Sequence, residues 1–293
     1  MTTARRYLGY TGAELDALYE APRQVPDVSV YLDRFEAASA AARERYDGRI
    51  DVAYGDHPRE RLDAFHAASA DAPAVLFFHG GYWRASSKER YSFLADGAVA
   101  LGATLIAVEY ALIPTVTMSE LLDQCRRAVA FVHAHAADLG CDGSRLHLTG
   151  HSAGGHIVAM LHATDWERWG VAPQAIRGGL ALSGLFDLEP IRETYLQETL
   201  GLTDEDVLRN SPARLGPRVS APLHLSVGGD EGAEFIRQAR VMQVQWESRS
   251  SPIETAILDG RNHYSLVESL AEPAGELCQV LRRHMEDDRS EGR

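Results

Sequence analysis

Residues 146–155 read Leu146-His147-Leu148-Thr149-Gly150-His151-Ser152-Ala153-Gly154-Gly155, and a helical run follows. An apolar strand, a tight turn and a helix are the setting in which Gly-x-Ser-x-Gly carries meaning. The turn forces the serine into a strained backbone conformation. Gly150 and Gly154 flank it because a side chain at either position would collide with the neighbouring strand or helix. The Ser152 hydroxyl is thereby held at a helix N-terminus, where backbone N–H groups and the helix dipole favour negative charge. Ser152 is a candidate nucleophile; the plainer alternative is a Gly-rich turn.

The same texture recurs on either side. Residues 74–78, 105–108, 146–149, 180–183, 223–227 and 253–258 are short, nearly continuous apolar runs. Parallel strands buried by helices on both faces look like this. Helical patterns lie between most of the runs. The clearest passes through Met118, Leu121, Leu122, Cys125, Val129, Val132, Ala136 and Leu139. The alternation predicts one α/β domain over residues 1–293, doubly wound around a mostly parallel sheet.

Upstream, Tyr31, Phe35, Ala38, Ala42 and Tyr46 recur at helical spacing, so residues 1–48 read as an N-terminal helical extension. Ile50, Val52 and Tyr54 alternate with polar neighbours, and residues 62–67 form a second short run; both read as strands with one face exposed. Residues 185–221, charged and Pro-containing, predict a small cap of helices over the sheet edge, and residues 286–293 a polar, frayed tail.

The 293 residues carry 29 Lys+Arg against 42 Asp+Glu, a formal net charge of −13, and 45% are hydrophobic. Such acidity argues against nucleic acid or an anionic membrane as partner, since both attract basic surfaces. No apolar run approaches the ~18–20 residues of a membrane span. Residues 1–10 carry Arg5 and Arg6 but no apolar segment follows, so no signal peptide is expected. Cys125, Cys141 and Cys278 contain no CxxC pair. They exclude a disulfide scaffold and a thiolate zinc cluster, and favour a reducing, cytoplasmic compartment.

In a doubly wound sheet, ligands bind at the carboxyl ends of the strands. After residues 74–78 comes His79-Gly80-Gly81-Tyr82-Trp83, small enough for the backbone to approach a ligand. Acyl transfer needs N–H groups aimed at a developing oxyanion. Those of Gly81 and Tyr82, with that of Ala153 after the nucleophile, are the natural set. A phosphate-cradling loop fits worse, because no Gly-Lys-Ser/Thr follows. Tyr82 and Trp83 also put aromatic surface beside this hole, suited to an aryl substrate, although Trp83 could equally be core packing.

A serine nucleophile needs a base, and the base needs an orienting acid. Of the twelve histidines, His263 stands out, because Gly260-Arg261-Asn262-His263-Tyr264 follows the last strand. His133 and His135 lie two apart on a helix and point to opposite sides, so they cannot chelate one metal. His147 lies in a strand, His151 in the turn, and His156 and His162 on the next helix; structural roles are preferred for all four. His79 braces its own loop. The acid should follow residues 223–227, in Gly228-Gly229-Asp230-Glu231-Gly232. Asp230 and Glu231 are both available there, spacing alone does not decide between them, and Asp187 is a weaker third. The chain order nucleophile, acid, histidine is that of α/β-hydrolases, each component after a separate strand.

At this point a resemblance enters. Phe77-Phe78-His79-Gly80-Gly81-Tyr82-Trp83-Arg84 together with Gly150-His151-Ser152-Ala153-Gly154-Gly155 resembles the HGGxW-containing arylformamidases, or kynurenine formamidases, of the α/β-hydrolase fold. The similarity runs from about residue 50 to about residue 269 and includes Leu182-Ser183-Gly184-Leu185-Phe186-Asp187-Leu188-Glu189-Pro190 and Glu234-Phe235-Ile236-Arg237-Gln238. In that family the acid lies three residues after the glycine ending its strand and three before a Glu-Phe pair. Counting from Gly228 and from Glu234 both reach Glu231, so the resemblance implies a Ser152–Glu231–His263 triad with Asp230 as fallback. The animal enzymes usually carry Asp at that place. The resemblance further implies His79, Gly80, Trp83, His151 and Phe186 as motif or substrate-pocket residues, and hydrolysis of N-formylkynurenine to formate and kynurenine without cofactor or metal.

The residues alone imply less: a serine hydrolase of an ester or activated amide. A broad carboxylesterase on short-chain or aryl esters is the alternative. A non-catalytic ligand-binding protein on the same fold is remote, because Ser152 and His263 are both present. A metal-dependent formamidase lacks its ligand spacing. The expected partner is a small-molecule substrate, with a homodimer possible.

Overall fold

The computed structural model describes residues 7–249 and 252–291. The expectation about residues 1–6 lies outside them. Among the described residues, eight strands form one sheet: β1 Gly48–Ala53, β2 Arg61–Phe65, β3 Pro73–Phe78, β4 Thr104–Val108, β5 Asp142–His151, β6 Ile176–Leu182, β7 Leu223–Gly228 and β8 Ile253–Leu258. Their order is β1-β2-β4-β3-β5-β6-β7-β8. The pairings β1–β2 and β2–β4 are antiparallel and all others parallel. This is the mostly parallel α/β-hydrolase sheet.

Eleven α-helices of the described residues accompany the sheet: α1 Gly12–Tyr19, α2 Ser29–Arg45, α3 Ala95–Ala100, α4 Met118–Ala134, α5 Ala153–His162, α6 Glu189–Arg192, α7 Gln197–Leu200, α8 Asp204–Asn210, α9 Ala233–Glu247, α10 Ser265–Glu268 and α11 Glu276–Glu291. They cover both faces, as the strand side chains show. Ala74, Leu76 and Phe78 of β3 pack into a core with α1, α4, α5 and α9. Val75 and Phe77, of opposite parity, pack into a second core with α2, α10 and α11. Helix α4 begins at a Thr117/Glu120 capping box and buries Leu121, Leu122, Cys125, Val129 and Val132. It stops at Ala134, and residues 136–139 continue as a 3₁₀ turn.

Four expectations are corrected. Strand β2 is buried beyond its first residue. Its Asp63, which made the run look half-exposed, is buried against Lys88 and Arg43. Strand β8, read as fully buried, is the sheet edge, and its Ile257 is 40% exposed. The segment 185–221 forms α6, α7, α8 and a 3₁₀ turn. It packs on α4, α5, α9 and α1 rather than over a sheet edge. The expected frayed tail is helical through Glu291 within α11; residues 292–293 lie outside the described set.

The chain runs from β3 out to β4 and then returns to β5 on the other side of β3. Such a switch of direction opens a crevice at the carboxyl ends of the strands involved. Phe78 pairs with Gly150 across β3 and β5, so the 79–83 loop and the Ser152 turn leave the sheet side by side.

Candidate active site

Ser152 adopts φ 58° and ψ −117°, a conformation that ordinary L-residues rarely take. Three neighbours enforce it. The Ser152 N–H donates to Leu182 O at 2.7 Å. A Cβ on Gly154 would lie 1.8 Å from Phe78 O, and one on Gly150 2.3 Å from Gly154 O. Only glycine lets α5 approach β3 and β5 this closely. Ser152 therefore stands at the N-terminus of α5, whose first-turn amides, beginning with Ala153, have no intrahelical acceptor.

The loop after β3 turns through three successive left-handed residues, Gly81 (φ 108°), Tyr82 (φ 48°) and Trp83 (φ 58°). Gly81 is obligatory, since a Cβ there would lie 2.2 Å from Ala85 O. Tyr82 and Trp83 are bulky residues held at positive φ by the contacts of their rings. The Tyr82 hydroxyl donates to Tyr19 O at the end of α1. The Trp83 indole is fully buried, its N–H donating to His156 Nδ1 at 3.2 Å. His156 Nε2 in turn bonds Asn210 O at 2.7 Å. Trp83 thus serves the core, and the reading of its ring as a stacking surface for substrate is replaced by this packing role. Phe186 is likewise fully buried in the core.

His79 and Gly80 shape the same loop. His79 is buried, with Nδ1 2.7 Å from Gly80 O and Nε2 3.0 Å from Glu109 Oε1. Glu109 also receives Arg59 Nη2 at 2.7 Å and the N–H groups of Lys88 and Tyr110. Burial alone would raise the Glu109 pKa. The His79 bond and charge, with Arg59 and the Tyr110 N–H, outweigh it and hold the carboxyl below its ordinary value.

His263 Nδ1 lies 2.7 Å from Glu231 Oε2, and both side chains are buried. The second Glu231 oxygen, Oε1, accepts from Ser183 Oγ at 2.5 Å and from Gly228 N at 2.7 Å. Asp230, its neighbour, is exposed and does not cap α9, whose N-cap is Gly232. Asp187 is taken by Tyr7 and Arg214, at 3.0 Å each. Of the three acids open on spacing, the structure therefore brings Glu231 to the imidazole. Sequence reasoning missed Ser183. The signal was its place as the last residue of the 180–183 run, one strand beyond the nucleophile.

His151 backs this pair. Its Nε2 donates to His263 O at 2.8 Å, and the two rings lie 4.5 Å apart. Burial, together with the His263 ring, pushes the His151 pKa well down, so it stays neutral. Phe235 closes the other side of His263, with ring centroids 4.7 Å apart. Among the described residues, no three His, Cys, Asp or Glu side chains gather as a metal-binding group. Nor is any helix there long and apolar enough to cross a membrane.

Against known proteins, residues 75–219 match a family model of the α/β-hydrolase fold. The kynurenine formamidase of Danio rerio is 33% identical over 281 residues, 92% of this chain and 94% of that one. That of Salmo salar is 35% identical over 267 residues, 88% and 89% of the two chains. Among solved structures, a proposed thioesterase from Silicibacter sp. TM1040 superposes with a TM-score of 0.81 at 31% identity, covering 91% of this chain and 98% of its own. Esterase B of Lactobacillus rhamnosis, at 16% identity and a TM-score of 0.66, covers 96% and 99% and shares the fold. Identity of about a third across nearly the whole of both chains means that this hydrolase belongs to the kynurenine formamidase, or arylformamidase, family of α/β-hydrolases.

Proposed function

We propose that the protein is a serine hydrolase of aryl formamides, with N-formylkynurenine as the representative substrate. The observation that carries the reading is the buried His263–Glu231 pair at 2.7 Å, on the loops after β8 and β7 at the sheet end that bears Ser152. The relatives named kynurenine formamidase supply the substrate class.

In this mechanism Ser152 Oγ attacks the formyl carbon and its proton passes to His263 Nε2. Glu231, bonded to Nδ1, fixes the tautomer and stabilises the imidazolium. The amides of Gly81, Tyr82 and Ala153 take up the oxyanion. The C–N bond then breaks, with the Nε2 proton delivered to the departing aniline nitrogen, leaving formyl-Ser152. Water attacks that ester with His263 as base, and formate departs.

Initial rates on N-formylkynurenine, p-nitrophenyl acetate and p-nitrophenyl butyrate with one enzyme stock test the substrate. The expected order puts the formamide first and the butyrate last, since a formyl group needs almost no acyl pocket. Faster turnover of both esters than of the formamide would favour a short-acyl esterase or thioesterase, the second reading, which the Silicibacter structure supports. A fluorophosphonate should label wild type once and Ser152→Ala not at all; labelling of the variant at another serine would remove Ser152 from the mechanism.

A further inference from the structure

His263 lies in the loop of residues 259–264 that follows β8. Among the described residues β8 is the sheet edge, so this loop has a neighbouring strand on one side only. Two groups already described hold the histidine itself. Glu231 bonds its Nδ1, and His151 bonds its carbonyl oxygen. The residues on either side of it are held from elsewhere, by α2 of the N-terminal extension. That helix is anchored through its buried Phe35, Ser39 and Ala42.

Tyr31, near the start of α2, grips both chain neighbours of His263. Its hydroxyl accepts Asn262 Nδ2–H at 2.8 Å, across more than two hundred positions of sequence. Its ring stacks on that of Tyr264, with centroids 5.6 Å apart and planes 29° from parallel. The other end of the Asn262 amide is also engaged. Its Oδ1 accepts the N–H of Tyr264 at 3.0 Å and of Ser265 at 2.9 Å, and the Asn262 N–H donates to Ser265 Oγ at 2.9 Å. Tyr31 therefore fixes the plane of an amide around which the histidine turn is built. Tyr264 meets the His263 ring edge-on, with centroids 5.6 Å apart. Arg34, one turn along α2, lies 4.9 Å from the centre of the Tyr31 ring and pairs with Glu268 of α10 at 2.9 Å. Packing alone would be served by an apolar residue at position 31. A hydroxyl aimed at Asn262 is more than packing requires.

We propose that Tyr31 is a positioning residue for the catalytic base: by holding Asn262 and Tyr264 it fixes the backbone on both sides of His263 and keeps the imidazole on Glu231. The proposal rests on the serine-hydrolase reading for what the imidazole does, and it makes the N-terminal extension part of the catalytic apparatus. A displacement of about 1 Å in a reacting group can cost about 10²-fold in rate, so two modest contacts on the loop are enough to matter.

The rate at which a fluorophosphonate reacts with Ser152 tests this, because that step needs the base and no formamide. Tyr31→Phe keeps the ring and its stack and loses the hydroxyl; it should react about five-fold more slowly than wild type. Tyr31→Ala also loses the stack and should be slower by about thirty-fold. Ser39→Ala is the control. It removes the bonds of Ser39 Oγ to Arg90 O at 2.8 Å and from Phe93 N at 3.2 Å, on the same helix, and leaves the contacts of Tyr31 in place. Its melting temperature should fall at least as far as that of Tyr31→Phe, with the phosphonylation rate unchanged. In turnover, the loss in the Tyr31 variants should fall on kcat with KM nearly constant. A wild-type rate in both Tyr31 variants, an equal slowing by Ser39→Ala, or a loss confined to KM overturns the role of Tyr31. Absence of labelling at Ser152 in wild type overturns the serine-hydrolase reading instead. An enzyme that is phosphonylated yet leaves the formamide intact overturns the substrate alone, and the Tyr31 comparison stands.

Discussion

The imidazole of His263 is held by Glu231 at 2.7 Å, while the other oxygen of that carboxylate is gripped by Ser183, just past β6, and by Gly228 at the end of β7. A glutamate is one methylene longer than an aspartate. The two grips on Oε1 remove the freedom that the extra bond would bring, and a Cβ on Gly228 would lie 2.2 Å from Arg261 O. The longer acid is thus built in.

From this geometry, Glu231→Gln should cut kcat by about 10⁴, the usual cost of losing a triad acid. Its melting temperature should move little. Asp230→Asn, exposed and away from the ring, should keep most of its activity. Ser183→Ala should cost about ten-fold in kcat, as expected for one hydrogen bond to a charged group. Steady-state kinetics on the three variants checks all of this, and an inactive Asp230→Asn beside an active Glu231→Gln would reverse the assignment.

Glu109 acts one step further back. The His79 ring bonds the Gly80 carbonyl, and the same peptide unit carries the Gly81 N–H proposed for the oxyanion. Polarising one end of a peptide strengthens the donor at the other. Glu109→Gln weakens the His79 anchor and should lower kcat about ten-fold, short of the 10²–10³ for removing an oxyanion donor itself. The loss should fall on kcat with KM nearly constant. A loss confined to KM would assign Glu109 to substrate binding.

Acid should destabilise the fold between about pH 6.5 and pH 4. Burial depresses the pKa of His156 to about 4 and of His162 to about 3, and that of His151 well below its ordinary value. Unfolded histidines titrate near ~6.5. Below that, the unfolded chain takes up protons that the folded one refuses, so stability is lost as pH falls. Each histidine can contribute up to about 1.4 kcal/mol per pH unit. The melting temperature should fall steadily from pH 7.5 to pH 5, and His162→Gln should flatten the slope if it folds. An unchanged slope in every such variant would show that the carboxylates govern the acid limb.

The thiols should be silent. Cys125, Cys141 and Cys278 are all buried and unbridged. Burial pushes the Cys141 thiol up to about 12 and the Cys278 thiol to about 11. Iodoacetamide on native enzyme at pH 7.5 should leave activity nearly unchanged over an hour. Rapid stoichiometric inactivation would place a thiol at the site.

Much of this was legible from residue order because parallel strands buried on both faces have few ways to hide. All eight strands coincide with the apolar or alternating runs read from the sequence, and Ser152, His263 and Glu231 follow three of them. Three features were not legible, each for a physical reason. Asp63 looked like a solvent-facing residue because its charge is answered by Arg43 from α2 and by Lys88, neither adjacent in sequence. Tyr82 and Trp83 gave no sign of their left-handed backbone, which belongs by preference to glycine and is imposed here by tertiary contacts. Ser183 was read only as the end of a strand, since its role exists only once β6 and β7 lie side by side.

The contacts of Tyr19 also make the bracing of the glycine loop a late event in folding. Its backbone oxygen holds Tyr82, and its hydroxyl donates to Glu234 at 2.7 Å and receives Gln238 at 3.0 Å, more than two hundred positions downstream. Helix α1 precedes α9 by more than two hundred residues, so its docking site is incomplete until α9 has been made. Closing so long a loop is slow and late. The serine turn and the glycine loop are therefore made well before the helix that braces them can dock, and that brace is among the last long-range contacts the fold can complete.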